Sequence, residues 1–335
     1  MAAVRILSIG LTLVALLAPS DVVAQQPRVL ILTTGGTIAG GQAGVDLVSA
    51  VPRIAELADI TVEEVVRVAS SAITPAHWIT LSRRINQAFH DDPGLAGVVI
   101  THGTDSMEET SFFLHLTVRD RRPVVVTGAM RGPTAVSADG PANMISAVRV
   151  AIAPEAGGHG VLVVLNDEIH SARDVRKTDS NRVDAFQSPE WGAIGVVDAD
   201  AVLLHRGLLT RHTVQSEFGE VPDTLPFVPV VMDYAGSDAS ELRRWVERGV
   251  AGVVVQAFAN GRTSPGMTAA IRDASAAGIP VVLASRVQEG RVMTRGDGLV
   301  ITAGDLPPHR ARVLLMLALA RTRTPDDLWR IFKTY

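Results

Sequence analysis

The stretch LTTGGTIAG, residues 32–40, ends the apolar run RVLIL on hydroxyls and glycines. A second apolar run ends in the same way: GVVITHGTDSMEET, residues 97–110, carries Thr104 beside Asp105. The third signal is a count. Of the 31 basic side chains only Lys177 and Lys333 are lysines, and Lys177 lies in NDEIHSARDVRKTDSN directly after the strand-like run GVLVVLND. Arginine keeps its proton under working conditions, whereas a lysine near a carboxylate can take part in proton traffic. A hydroxyl nucleophile needs such a base, so two strand-end threonines, an acid and a lysine point to acyl transfer without a cysteine or a metal. Gly35 and Gly36 permit positive φ and a close backbone approach, which brings the Thr37 hydroxyl to the mouth of the sheet.

Each of these features also has a structural use. A Gly-Gly-Thr sequence makes a tight turn, Asp105 with Glu108 three residues on reads as a helix N-cap with its capping-box partner, and a loop can hold a lysine for solubility. Other constellations are missing from the chain: GxSxG, HExxH and GxxxxGK[ST] do not occur, and there is no cysteine. The nine histidines show no ligand spacing and are read as surface or capping residues. The dinucleotide fingerprint is absent too, since Thr37 occupies the place of its second glycine.

Positioning these residues requires a sheet. Apolar runs alternate with longer helical patterns, as expected of an α/β fold with a mainly parallel sheet and crossover helices. The strands read RVLILTT, LAGVVITHG, RPVVVTGA, GVLVVLND, PFVPVVMDYAG, GVAGVVVQAFANG and GIPVVLASR, with helices expected around residues 74–90, 105–118, 140–152, 239–248, 265–277 and 309–321. Residues 206–226 carry no clear period and hold two prolines and two glycines, which suits a linker. The expected division is therefore a larger N-terminal domain at 25–205, this linker, and a smaller C-terminal α/β domain at 227–335. In open α/β sheets ligands bind at the carboxyl ends of the strands, where all three motifs fall.

Composition bounds the partners. With 335 residues, 47% apolar content and a net charge of −4, the chain can bury a large core, and its mixed charges form no basic stripe for nucleic acid. Arg5 precedes the apolar run ILSIGLTLVALLA, too short to span a bilayer with ease, and small residues at Val22 and Ala24 follow. Residues 1–24 are read as a signal peptide cut after Ala24, giving a periplasmic or secreted protein with no membrane partner. An uncleaved anchor is the other reading of that segment.

The motifs TTGGTIAGG and GVVITHGTDSMEET resemble the two signatures of the bacterial L-asparaginases, in particular the exported type related to glutaminase-asparaginases. The resemblance continues through RPVVVTGAMRGPTAVSADGPANMISAV, GVLVVLNDEIHSARDVRKTDSN and HRARVLLMLALARTRTPDDLWRIFKTY, and so covers essentially all of residues 25–335. It implies the two-domain asparaginase-type fold and hydrolysis of L-asparagine to L-aspartate and ammonia through a β-acyl enzyme. Thr37 matches the nucleophile, and Thr104, Asp105 and Lys177 match the supporting threonine, acid and lysine, with Asp105 also holding the substrate α-amino group. Ser70 matches the serine that holds the α-carboxylate, and Ser71 follows it where exported members often have glutamine. Asn260, in AFANG, matches an asparagine that approaches from a neighbouring subunit. The family needs no cofactor and forms homotetramers built from intimate dimers.

The chain departs from that pattern in its lid. Family members carry a tyrosine on the loop after the first motif, whereas AGGQAGVDLVSAVPRI has none, and the tyrosines of this chain are Tyr234 and Tyr335. Neither Asp297 nor Glu289 is assigned to the C-terminal acid that contacts the α-amino group in glutaminase-like members. A lid without its tyrosine excludes water less well, which leaves room for two other readings: an amidase for glutamine or another small amide, and an exported amino-acid-binding protein with little catalysis.

Overall fold

The first four core strands are built from β-branched and leucine residues buried on both faces, the pattern a central parallel strand requires. In the computed structural model, which describes residues 25–36, 51, 53–293 and 296–335, these are β1 (Arg28–Thr33), β3 (Leu95–Thr101), β4 (Val124–Thr127) and β5 (Val161–Leu165), with β2 (Asp59–Glu64) at the edge. They pair in parallel in the order β2-β1-β3-β4-β5. Alternate residues feed two cores. Leu30, Leu32, Val98, Ile100, Val124 and Val126 point to one face, while Val29, Ile31, Val99 and Val125 point to the other.

Helices cover both faces. α1 (Ile54–Leu57) is a single turn; α2 (Pro75–Asp91) and α3 (Met107–Thr117) pack on the first face, and α4 (Gly140–Ile152) packs on the second through Met144, Ala147, Val148 and Ala151. Trp78 of α2 stacks on Phe113 of α3 at 5.6 Å and donates its indole N–H to Thr110 Oγ1 at 2.9 Å, which fixes α3 against its neighbour. Beyond β5 the chain turns back. β6 (Glu168–Ser171) is antiparallel to β5; a two-strand ribbon of β7 (Arg176–Lys177) and β8 (Phe186–Gln187) leaves the sheet; β9 (Gly195–Val197) and β10 (Val202–Leu204) complete its antiparallel edge.

Between β10 and β11 (Val230–Met232) the chain forms only a short 3₁₀ turn at Thr213–Gln215. β11 opens a second, wholly parallel sheet with β12 (Val253–Ala257), β13 (Val281–Ser285) and β14 (Val300–Thr302), flanked by α5 (Ser240–Glu247), α6 (Pro265–Ala276), α7 (Pro308–Leu319) and α8 (Pro325–Thr334). The expected helices lie within two residues of those observed. α1, α8, β2, the antiparallel edge, the β7–β8 ribbon and β14 are not among the expected elements. One apolar cluster runs through both parts of the chain, because α7 packs on β12 and β13 of the small sheet as well as on α3. Among the described residues no helix is long and apolar enough to cross a membrane.

Two expectations about polar residues are corrected. The N-cap of α3 is Ser106, not Asp105, and it caps without a side-chain bond; Glu108 is drawn away to groups far along the chain. Of the histidines, His102, His115, His170 and His212 are buried rather than on the surface. His102 donates from Nδ1 to Gly103 O at 2.6 Å, and burial pushes its pKa down to about 4 against that bond, which raises it. Burial also lowers His115, whose Nδ1 accepts from Val161 N–H, and His212, whose ring lies 5.0 Å from that of His115.

With its pKa near 4, the His102 ring is neutral in the fold at neutral pH and takes a proton below pH 6.5 once the chain unfolds. The unfolded state therefore binds more protons below pH 6.5, and stability falls as pH drops from 6.5 to about 4, by about 3 kcal/mol for His102 alone. Urea midpoints measured at pH 7 and at pH 4.5 are expected to differ accordingly; equal midpoints would refute buried neutral histidines. A second expectation concerns Gly36, which has φ +88° and whose added Cβ would lie 2.5 Å from Gly103 Cα. Gly36→Ala is expected to lower stability by about 1–3 kcal/mol and to part the ends of β1 and β3, read as a lower melting temperature together with lost activity.

Candidate active site

The site forms where β1 and β3 end side by side. Thr33 is in register with Thr101, and Thr101 with Thr127, so three threonines cross the carboxyl edge of the sheet. Thr34 donates both N–H and Oγ1–H to Thr101 O, at 3.1 and 3.0 Å. Beyond it the chain passes through Gly35 and Gly36, both at positive φ, where a Cβ would strike Val68 O or the backbone of Gly103. The two glycines thus let the first motif lie directly against the second. Thr37 lies outside the described residues, as do residues 1–24 and most of the lid segment.

The second motif carries the polar cluster. After β3, residues 102–106 turn into α3, and this turn is stitched to Ser70 of the short 3₁₀ turn Ser70–Ala72. Ser70 Oγ accepts from Asp105 N–H at 3.1 Å, and Ser70 O accepts from Ser106 Oγ–H at 2.5 Å. Buried Ser70 keeps its own hydroxyl proton to donate to a ligand. Ser71 is exposed. The Asp105 carboxylate is open, with 65% of its side chain accessible, so it can receive a cation from solution.

Lys177 reaches this cluster from β7. Its Nζ donates to Thr104 Oγ1 at 2.9 Å and to Asp105 Oδ1 at 3.1 Å, and its side chain is largely buried, with 20% accessible. Hydroxyl, carboxylate and amine therefore form one connected unit at the N-terminus of α3. The ammonium holds the Thr104 oxygen by an accepted bond, which turns the Thr104 proton outward, and a deprotonated lysine in the same place could take that proton. The positive end of the helix favours developing negative charge beside it.

Behind Lys177 stands the Glu108 carboxylate, which does not cap α3. Glu108 Oε1 accepts from Lys177 N–H at 3.0 Å, while Oε2 takes His309 Nε2 at 2.9 Å and Arg310 Nη2 at 3.1 Å. Burial would raise its pKa, but the bond to His309, the Arg310 charge and the Lys177 N–H outweigh it and hold the pKa at about 2. Spacing offered no sign of this role, because Arg310 stands 202 residues away.

The remaining residues divide. Ser70, Thr104, Asp105 and Lys177 are brought together; Asn260 is not joined to them by any hydrogen bond among the described residues, and its Oδ1 instead accepts from Met293 N–H at 3.1 Å. Asn260 sits at φ +58° in the turn after β12. Neither tyrosine is hydrogen-bonded to this cluster among the described residues: Tyr335 is buried with its hydroxyl accepting from Glu217 N–H, and Tyr234 is half exposed beyond β11.

Comparison with known proteins identifies the family. Residues 28–209 match the asparaginase N-terminal family model, and residues 228–332 match the glutaminase/asparaginase C-terminal domain. The chain is 38% identical over 327 residues to L-asparaginase 2 of Bacillus subtilis, covering 92% of this chain and 87% of that protein. It is 37% identical to a protein of Haemophilus influenzae named probable L-asparaginase periplasmic, covering 93% and 94%. The crystal structure of a probable cytoplasmic L-asparaginase from Campylobacter jejuni superposes with a TM-score of 0.88 at 39% identity, over 92% of this chain and all of that one. With both domains matched in order over most of its length, the chain belongs to the asparaginase family.

Proposed function

We propose that the protein hydrolyses L-asparagine to L-aspartate and ammonia with Thr37 as nucleophile. The observation that carries this reading is the contact of Lys177 Nζ with both Thr104 Oγ1 and Asp105 Oδ1. Binding an amino acid needs no proton-transfer group, whereas a threonine held by a lysine serves a step that moves a proton. In this mechanism Asp105 takes the substrate α-ammonium and Ser70 donates to the α-carboxylate. Thr37 Oγ attacks the side-chain amide carbon, its proton passes to the departing nitrogen, and ammonia leaves. Water, activated through Thr104 and Lys177, then cleaves the β-acyl ester and regenerates the threonine. Backbone N–H groups near Thr104 stabilise the tetrahedral oxyanion.

The remaining roles follow the family. Ser71 lies beside the carboxylate subsite, and Asn260, apart from the cluster within one chain, completes the site of a neighbouring subunit in a homotetramer of intimate dimers. We place the protein in the periplasm after cleavage at Ala24; the name of the Haemophilus relative supports the compartment. We divide the chain at residues 25–205, 206–226 and 227–335. Glutamine is the second substrate to test, because the matched C-terminal model is shared with glutaminases.

Ammonia release from L-asparagine and L-glutamine by residues 25–335 tests the proposal. Thr37→Ala and Lys177→Ala are each expected to abolish saturable turnover, and Thr104→Val to lower kcat by about 10²–10⁴-fold. Lys177→Arg is expected to fail as fully as Lys177→Ala, since arginine keeps the charge but cannot exchange the proton. Wild-type protein that binds asparagine in calorimetry without releasing ammonia would favour a binding protein instead.

A further inference from the structure

The position of Lys177 depends on a group that does not face the substrate. Its backbone N–H is held by Glu108, and Glu108 is held in turn by His309 and Arg310 at the start of α7. Arg310 is among the largest fully buried side chains, 1% exposed, and divides its guanidinium between Glu108 Oε2 and Arg173 O, the latter at 2.6 Å. Arg173 and Lys177 bracket the short segment that leads into β7. The same buried unit therefore fixes this segment at its first residue through Arg310 and at its last through Glu108.

Resting on the asparaginase reading above, we infer that Glu108 and Arg310 are positioning residues of the reaction: together they set where Lys177 Nζ lies against Thr104, and they tie that alignment to α7 of the C-terminal part. The geometry requires it in three ways. β7 is two residues long and, among the described residues, pairs only with β8, outside both main sheets, so the sheets do not hold its register. Glu108 is carried by the first turn of α3, directly after Thr104 and Asp105, so one rigid turn bears the acceptors of the Lys177 side chain and the acceptor of its backbone. Finally, the partners of Glu108 come from a different part of the chain, so α7 must be docked for the carboxylate to be fixed.

Burial and pairing act in opposite senses on the two partners. Glu108 is held ionised by its bonds, whereas desolvation lowers the pKa of Arg310 to about 10 against the pull of Glu108; both remain charged at neutral pH. Removing one partner leaves the other a buried, unpaired charge, which is costly, while replacing both with neutral groups removes that cost. This separates positioning from stability. Glu108→Gln is expected to lower kcat by about 100-fold with KM changed less than threefold, as a misplacement of about 1 Å does. In the double variant Glu108→Gln/Arg310→Met, thermal stability is expected to return toward wild type while kcat stays low.

A readout that does not use turnover completes the test. Because Lys177 and Lys333 are the only lysines, protein labelled with ¹⁵N-lysine gives two backbone amide signals. The Lys177 signal is expected to shift and lose hydrogen-exchange protection in both variants, with Lys333 unchanged. Recovery of kcat together with stability in the double variant, or a Lys177 signal unmoved by Glu108→Gln, would overturn the inference. Should the wild type release no ammonia, the asparaginase reading fails, and the lysine signals still decide whether Glu108 positions Lys177.

Discussion

A lysine carried on a two-residue strand outside the main sheets must reach a threonine at the end of a central strand, and the site exists only while that contact holds. Lys177 and Thr104 are 73 residues apart in sequence and 2.9 Å apart at Nζ and Oγ1. Neither local propensity nor sheet pairing delivers this distance. It follows from two rigid bodies: the β3–α3 turn, anchored to Ser70, and the 173–177 segment, anchored through Glu108 and Arg310.

The parallel sheet supplies the rest of the precision. Because β1 and β3 are neighbours, their ends bring Gly36 and Gly103 together at one edge, and the contact between the two shows how closely the backbones meet. A side chain at Gly36 would strike the Gly103 backbone, and one at Gly103 would strike the Ser70 side chain. The threonine row at positions 33, 101 and 127 lies just beneath, buried, with Oγ1 of Thr127 donating to Val164 O. The reactive groups thus sit on a floor whose backbone is already paired, and the open side belongs to Asp105.

Much of this was legible in the sequence because strong local signals mark it. Runs such as GVVIT and RPVVVTG can only be buried strands, proline and serine mark the starts of α2 and α6, and strand ends in an α/β fold are where ligands bind. What stayed hidden depends on tertiary partners. β2 reads DITVEE, an edge strand too polar to look like one, and β6, β9 and β10 are three or four residues long. The pattern Asp105 to Glu108 looked like a capping box since its spacing is right, but the carboxylate is bonded to His309, Arg310 and the Lys177 N–H instead. The buried histidines were hidden for the same reason: nothing in the neighbouring residues shows that His115 will meet His212 across 97 positions.

The central claim is that this site performs acyl transfer through a threonine, and a quenched-turnover experiment tests it most directly. Protein mixed with excess L-asparagine, stopped in acid within the first turnovers and digested for mass spectrometry, is predicted to show one aspartyl group as an ester on the peptide that contains Thr37. Steady ammonia release with no adduct at any quench time, or an adduct on the Thr104 peptide, would contradict the account.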